Sequence, residues 1–166
     1  NISYKISKKI KIYLDNNSSN QLLEFTNNSN QVFNLFKYKD IYSFLEKSCK
    51  KNKKISFFKF SNSRKKIEEL NRNYNLIINS EINNIITKKY FYSKITKNYN
   101  SIAYTLNIKH KKLDNEEACQ IFTKFGPLAF LPISDTETSI VLSYKGKKKL
   151  SIKDLKDFVN KYNNKY

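Results

Sequence analysis

The sequence runs to 166 residues, 39% hydrophobic and 14% aromatic, which is enough to bury a core and excludes disorder throughout. No apolar run approaches the roughly 18 residues that a membrane-spanning helix needs. The net charge of +18 accompanies abundant Asn, Ile, Tyr and Phe, with only two Gly, two Pro and no Trp. That is the signature of AT-rich codons, and it accounts for lysines scattered along the chain. No nucleic acid is therefore expected as a partner: a basic nucleic-acid-binding domain rests on charge alone, and attraction to an anionic membrane surface is a secondary consequence.

Taken in order, residues 9–15 (KIKIYLD) alternate Ile10, Ile12 and Leu14 with polar neighbours and predict a half-buried strand. Asn16 to Asn20 is a turn, and residues 21–26 (QLLEFT) return as a second strand of a hairpin. Residues 31–36 (QVFNLF) form another strand. Asp40 to Lys50 places Ile41, Phe44, Leu45 and Ser48 at helical spacing, with Asp40 favourable to the helix dipole; its apolar stripe is read as core. Residues 55–60 (ISFFKF) are rich in strand formers, Ser61 to Arg72 reads as a loop or poor helix, and 74–78 (YNLII) as a short buried strand. Ile85 to Tyr92 starts a helical turn.

Residues 101–110 (SIAYTLNIKH) alternate again, and the expected partner is the strand 118–123, across a polar turn at Lys111 to Glu117. Residues 127–133 and 138–144 continue the sheet. Ser151 caps a helix from Ile152 to Tyr162, with Asp154 closing a capping box. The fold class is α+β, a largely antiparallel or mixed sheet with two or so helices.

Both prolines and one of the two glycines lie within Ala118–Pro132 (ACQIFTKFGPLAFLP), among Phe122, Phe125, Leu128, Phe130 and Leu131. Proline lacks the amide that a ladder needs and glycine admits close approach to the backbone, so the stretch reads as a cavity wall. Cys49 and Cys119 form no CxxC pair and His110 is the sole histidine, so no metal site and two reduced thiols are expected. Glu116 and Glu117 read as solvated turn residues, and His110 as a satisfied strand-end histidine. Phosphate-binding loops, nucleophile elbows and zinc-protease motifs are not found.

Ala118-Cys119-Gln120-Ile121-Phe122, followed by Gly126-Pro127-Leu128-Ala129-Phe130-Leu131-Pro132, resembles the A-x-Q-x-F…G-P-L-A-x-L-P segment of the ubiquinone-biosynthesis hydroxylases (the 2-polyprenyl-6-methoxyphenol hydroxylase family). These are FAD-dependent aromatic monooxygenases of the para-hydroxybenzoate hydroxylase type. Ser139-Ile140-Val141 and Ser143 are similar to the family's S-I-V-W-S strand, with Leu142 in place of Trp, and Tyr99 to His110 to the strand before it. The likeness is weak before residue 74 and extends to about residue 144. A second, eroded likeness is to G-A-D-G-x-x-S-x-x-R: after Leu76-Ile77-Ile78, Glu81 falls at the Asp position, the second Gly is deleted, and Asn84 and Thr87 replace Ser and Arg.

The resemblance implies the substrate-domain portion of a para-hydroxybenzoate hydroxylase-like fold. Glu81 and Asn84 would be cofactor-binding, and Gln120, Phe122, Gly126, Pro127, Leu128, Ala129, Leu131 and Pro132 would form the substrate or flavin-side wall. No catalytic residue is assigned. FAD and NAD(P)H would be held mainly by parts outside these residues, because the family's GxGxxG and GD…GQG segments are not in the sequence. With Asn first and no Met, the expectation is a single partial domain over residues 1–166 of a longer enzyme, inactive by itself. The implied substrate is a polyprenyl-phenol, and the implied location the cytoplasm, peripheral on the inner membrane, in contact with other ubiquinone-biosynthesis proteins. The alternative is a degenerate, non-catalytic relative that serves as a binding or scaffold module.

Overall fold

The computed structural model describes residues 4–15, 21–59, 64–91, 93, 95–146 and 148–166, with the side chains of 64–66 left aside. These form two compact units, residues 1–48 with 99–166, and residues 49–98.

The first unit is built on a six-stranded sheet. β1 (Tyr4–Ser7) and β4 (Phe33–Phe36) pair separately as a two-stranded ribbon. The large sheet joins β2 (Lys9–Leu14), β3 (Gln21–Thr26), β5 (Ile102–Lys109), β6 (Glu117–Thr123), β7 (Gly126–Ser134) and β8 (Glu137–Tyr144) in the order β3-β2-β6-β7-β8-β5. All its pairs are antiparallel except β2 with β6. The period-two alternation places Tyr13, Ile121, Leu128, Leu142 and Tyr104 in one row across five strands. Lys11, Cys119, Phe130, Ile140 and Leu106 make the next row on the same face.

α4 (Ile152–Tyr162) covers that face. Leu155, Phe158, Val159 and Tyr162 recur at helical spacing and pack on Ile121, Leu128, Phe130, Ile140 and Leu142. The helix starts as its sequence predicts: Ser151 accepts from the Asp154 amide and the Asp154 carboxylate accepts from the Ser151 amide, so both ends of the capping box are made. At the far end of the sheet, Asn115 is fully buried and its polar atoms are all used. Its amide donates to Ser134 O and Thr138 Oγ1, both at 2.8 Å, and its carbonyl accepts from the Tyr166 hydroxyl at 2.9 Å.

Several sequence expectations are corrected. β5 pairs with β8, not β6: the Lys111–Glu116 connection is no hairpin turn. It runs along the β7–β8 turn, where His110 N and Leu113 N donate to Thr136 O and Asp135 O. β5 thereby becomes an edge, and its Leu106 and Ile108 oppose Ile140 and Thr138. The Pro-containing β7 lies inside the sheet. Glu117 belongs to β6 and not to a turn, and both glutamates are partly exposed and ion-paired, Glu116 with Lys8 at 2.6 Å and Glu117 with Lys11 at 2.8 Å. In α1 (Tyr38–Lys51), no residue is buried and Phe44 and Leu45 of the supposed core stripe are exposed.

In the second unit, residues 55–59 and 74–78 are not strands. Among the described residues their β-formers have no partner to ladder with, and propensity without pairing does not make a strand. Residue 60, like the 16–20 turn, the start of the Ser61–Arg72 stretch and Tyr92, lies outside the described residues. Of the loop or poor helix expected in that stretch, the helix forms: α2 (Arg64–Asn73) is rich in helix formers and buries Ile67, and the helical turn expected after the 79–84 turn is α3 (Ile85–Tyr90). Among the described residues there are thus four helices where two or so were expected. None of the described helices is long and apolar enough to cross a membrane.

Candidate functional site

Ala118–Pro132 forms most of β6, the turn at Lys124–Phe125 and most of β7, and the alternation splits its side chains between two faces. Leu128 and Pro132 lie on the α4 side, fully buried, and belong to the core. Gln120, Phe122, Pro127, Ala129 and Leu131 lie on the opposite side. There Ile12, Gln120, Ala129, Val141 and Thr105 align in one row, with Leu14, Phe122 and Pro127 beside them. Gln120, Ala129, Leu131 and Val141 are half-buried, and Phe122 is exposed. This face joins small and apolar side chains to one primary amide, a surface that a flat apolar ring can lie against with a single polar contact.

Gly126 has a different role from a ligand-facing glycine. Its φ is +129°, and a Cβ there would lie 2.0 Å from the carbonyl oxygen of Ser143. The group that approaches closely is the β8 backbone. Lys145 N donates to Phe125 O at 2.7 Å and Thr123 Oγ1 to Gly126 O at 2.7 Å, locking the turn onto the end of β8.

Glu81 and Asn84 lie in the second unit. Asn84 is buried and caps α3, its carbonyl accepting from Thr87 N at 2.9 Å. Its amide donates to Asn79 Oδ1 at 2.6 Å, and Asn79 in turn donates to Thr87 Oγ1 at 2.7 Å. Glu81 is exposed and takes part through its backbone carbonyl, which accepts from Thr87 Oγ1 at 2.6 Å. The ring of contacts is closed on itself. α3 has six residues, too few for a helix-end anion site, and the 79–84 turn holds no glycine to admit the close approach a nucleotide needs. These residues do not fit a flavin cradle by themselves.

A cleft of about 450 Å³ opens on the α4 face, lined among others by Tyr13, Cys119, Phe130, Tyr162 and Tyr166. Its polar groups serve the fold. The Tyr162 hydroxyl donates to Asp15 at 2.6 Å, and burial together with that bond pushes the phenol up to about 12. The same bond, with one from Lys124 N, holds the Asp15 carboxyl below its ordinary range. Burial raises the Cys119 thiol to about 11, so it is protonated and unreactive at neutral pH. Both cysteines are free thiols. His110 has both ring nitrogens engaged, with Lys111 O at 2.9 Å and Thr138 Oγ1 at 3.0 Å. Among the described residues no group of three His, Cys, Asp or Glu side chains is arranged to hold a metal ion. The Asp15–Tyr162 pair escaped sequence reasoning because its members lie 147 positions apart.

No protein-family model matches this chain, and no curated protein matches it.

Proposed function

We propose that this chain supplies the substrate-side sheet of an FAD-dependent aromatic monooxygenase acting on a polyprenyl-phenol. The observation that carries the reading is the face opposite α4, where Gln120, Phe122, Pro127, Ala129, Leu131 and Val141 of the resembling segment come together half-exposed. Ala129 gives room for a planar ring, the apolar neighbours exclude water from it, and the Gln120 amide offers a hydrogen bond to a phenolic oxygen. The second unit is consistent with the same reading: Leu76 and Ile78 are 75% and 86% exposed, as expected of an apolar run that becomes a strand only beside the rest of a nucleotide-binding sheet. Since Glu81 and Asn84 form no cradle, flavin and NAD(P)H would depend on that outside sequence.

The rival reading, a non-catalytic binding or scaffold relative, is favoured by one observation, the closed Asn79–Asn84–Thr87 ring at the eroded motif. Expression of the whole open reading frame that contains this chain separates the two. The enzyme reading expects co-purifying flavin and NAD(P)H oxidation stimulated by a prenylated phenol. Ala129→Phe should keep the flavin and lose the stimulation by about tenfold or more, because it fills the ring's place. A protein without flavin or NAD(P)H oxidation leaves the scaffold reading.

A further inference from the structure

We infer that the connection from β8 into α4 is a docking surface for an anionic lipid bilayer, with Ile152 as the side chain that enters it. Between Lys145 and Lys153 the sequence carries no acidic residue. Lys145, Lys148, Lys149 and Lys153 are all exposed. The ion pairs among described residues involve Lys5, Lys8, Lys9, Lys11 and Lys37, on other parts of the unit. The carboxylates here are few: Asp154 accepts from Ser151 Oγ at 2.7 Å in the helix cap, and Asp15 accepts from Lys124 N at 3.0 Å. The bond from Lys145 N to Phe125 O brings the β6–β7 turn, with Lys124, alongside. Lys124, Lys145, Lys148, Lys149 and Lys153 therefore gather at one corner of the sheet, where they outnumber the carboxylates Asp15, Asp154 and Asp157.

Ile152 stands within this corner at 78% exposure, while Leu155, Phe158 and Val159 of the same helix turn onto the sheet. Its position is fixed from both sides. Leu150 N donates to the Tyr104 hydroxyl at 2.8 Å, and Ser151 is locked in the capping box. A rigidly presented aliphatic group ringed by lysines matches a bilayer interface: the lysines stay with anionic headgroups while the apolar side chain reaches the acyl boundary. Single-stranded nucleic acid would call for an aromatic stacking platform at the centre of the patch, and an isoleucine supplies none.

Because the chain contains no Trp, Ile152→Trp creates a single emission reporter at the proposed contact. Vesicles of phosphatidylcholine with phosphatidylserine should shift its emission to the blue, and vesicles of phosphatidylcholine alone should not. In co-sedimentation, Lys148→Glu with Lys149→Glu should weaken partition to the anionic vesicles by about thirtyfold or more. The same charge change in α3, Lys88→Glu with Lys89→Glu, should leave partition within about threefold. Equal losses in the two double variants would overturn the proposal in favour of net charge alone. An unshifted emission with anionic vesicles would overturn it as well. So would an oligonucleotide that shifts the reporter and depends on Lys148 and Lys149 in the same way. None of these outcomes bears on flavin content, so the surface and the enzyme reading fail separately.

Discussion

In β7 and β8, Leu128, Phe130, Ile140 and Leu142 are between 0% and 3% exposed; in residues 49–98, Phe58, Leu76 and Ile78 are between 75% and 86% exposed. The two regions use the same kinds of side chain, with β-branched and aromatic residues in short runs, so composition does not separate them. Pairing does. Each strand of the first has a hydrogen-bonded neighbour and, on one side, the apolar stripe of α4. The second has small anchors, the single buried Ile67 and the Asn79–Asn84–Thr87 ring, and its apolar runs join no ladder among the described residues.

The sharpest test of that contrast is a pair of truncations followed by urea unfolding. Leu128→Ala should cost about 2–5 kcal/mol, since a buried leucine leaves a cavity that the sheet cannot close. Ile78→Ala should stay within about 0.5 kcal/mol, since the side chain is in water already. An equal cost at both sites would mean that residues 74–78 are packed in solution and the contrast is broken. In the whole reading frame the proposed function expects the opposite for Ile78, with a cost approaching that of a core residue.

A smaller effect sharpens the account of the second unit. Asn84→Ala removes a helix cap and leaves the Asn79 side chain without its donor, which should cost about 1 kcal/mol. Hydrogen exchange should show the loss confined to α3 and the 79–84 turn, with the β5–β8 amides unchanged. A loss spread across the sheet would show that the two regions share one cooperative unit.

The smallest effect belongs to the first unit and is read by pH. Burial and the bond to Asp15 raise the Tyr162 phenol from its ordinary 10.0 to about 12, so the stabilisation is whole below pH 10 and is lost as pH climbs toward 12. Asp15 works in the opposite sense. Its lowered carboxyl stabilises the fold above the ordinary carboxylate range, and the contribution disappears as acid protonates it. Ultraviolet titration of Tyr162→Phe should lose the latest-titrating phenol. Its unfolding should also be less sensitive to acid, because Asp15 loses the donor that favours its ionised form. An unchanged titration curve would remove the pair from the account.

Strands β2, β3, β6, β7 and β8 and helix α4 were legible because alternation, turn residues and the Ser151–Asp154 box are all local signals. The mispairing of β5 came from a rule of proximity: a polar turn suggests a hairpin, and only the buried Asn115 contacts show the chain passing over the β7–β8 turn instead. Strand expectations at 55–60 and 74–78 failed because propensity says what a segment can do, not whether a partner is present. At the candidate site, the segment Ala118–Pro132 was legible, but its division into a buried face with Leu128 and Pro132 and an open one with Gln120 and Ala129 follows from register. Gly126 was legible as a place of close approach; that the approaching group is Ser143 was not.

The parallel pairing of β2 with β6 has a consequence for how this chain folds. The Ser7 hydroxyl and Glu116 O meet across 109 positions, and β2 runs alongside β6 from there. A two-stranded hairpin such as β2–β3 is marginal in water by itself, so during synthesis it waits until β6, β7 and β8 have emerged and joined. In that interval one side of β6 is an open strand edge, and Ile10 and Ile12 lack the neighbours that Ala118 and Gln120 give them. Docking of the β2–β3 hairpin on β6 therefore joins distant parts of the sequence, and it is a step exposed to capture by a neighbouring copy.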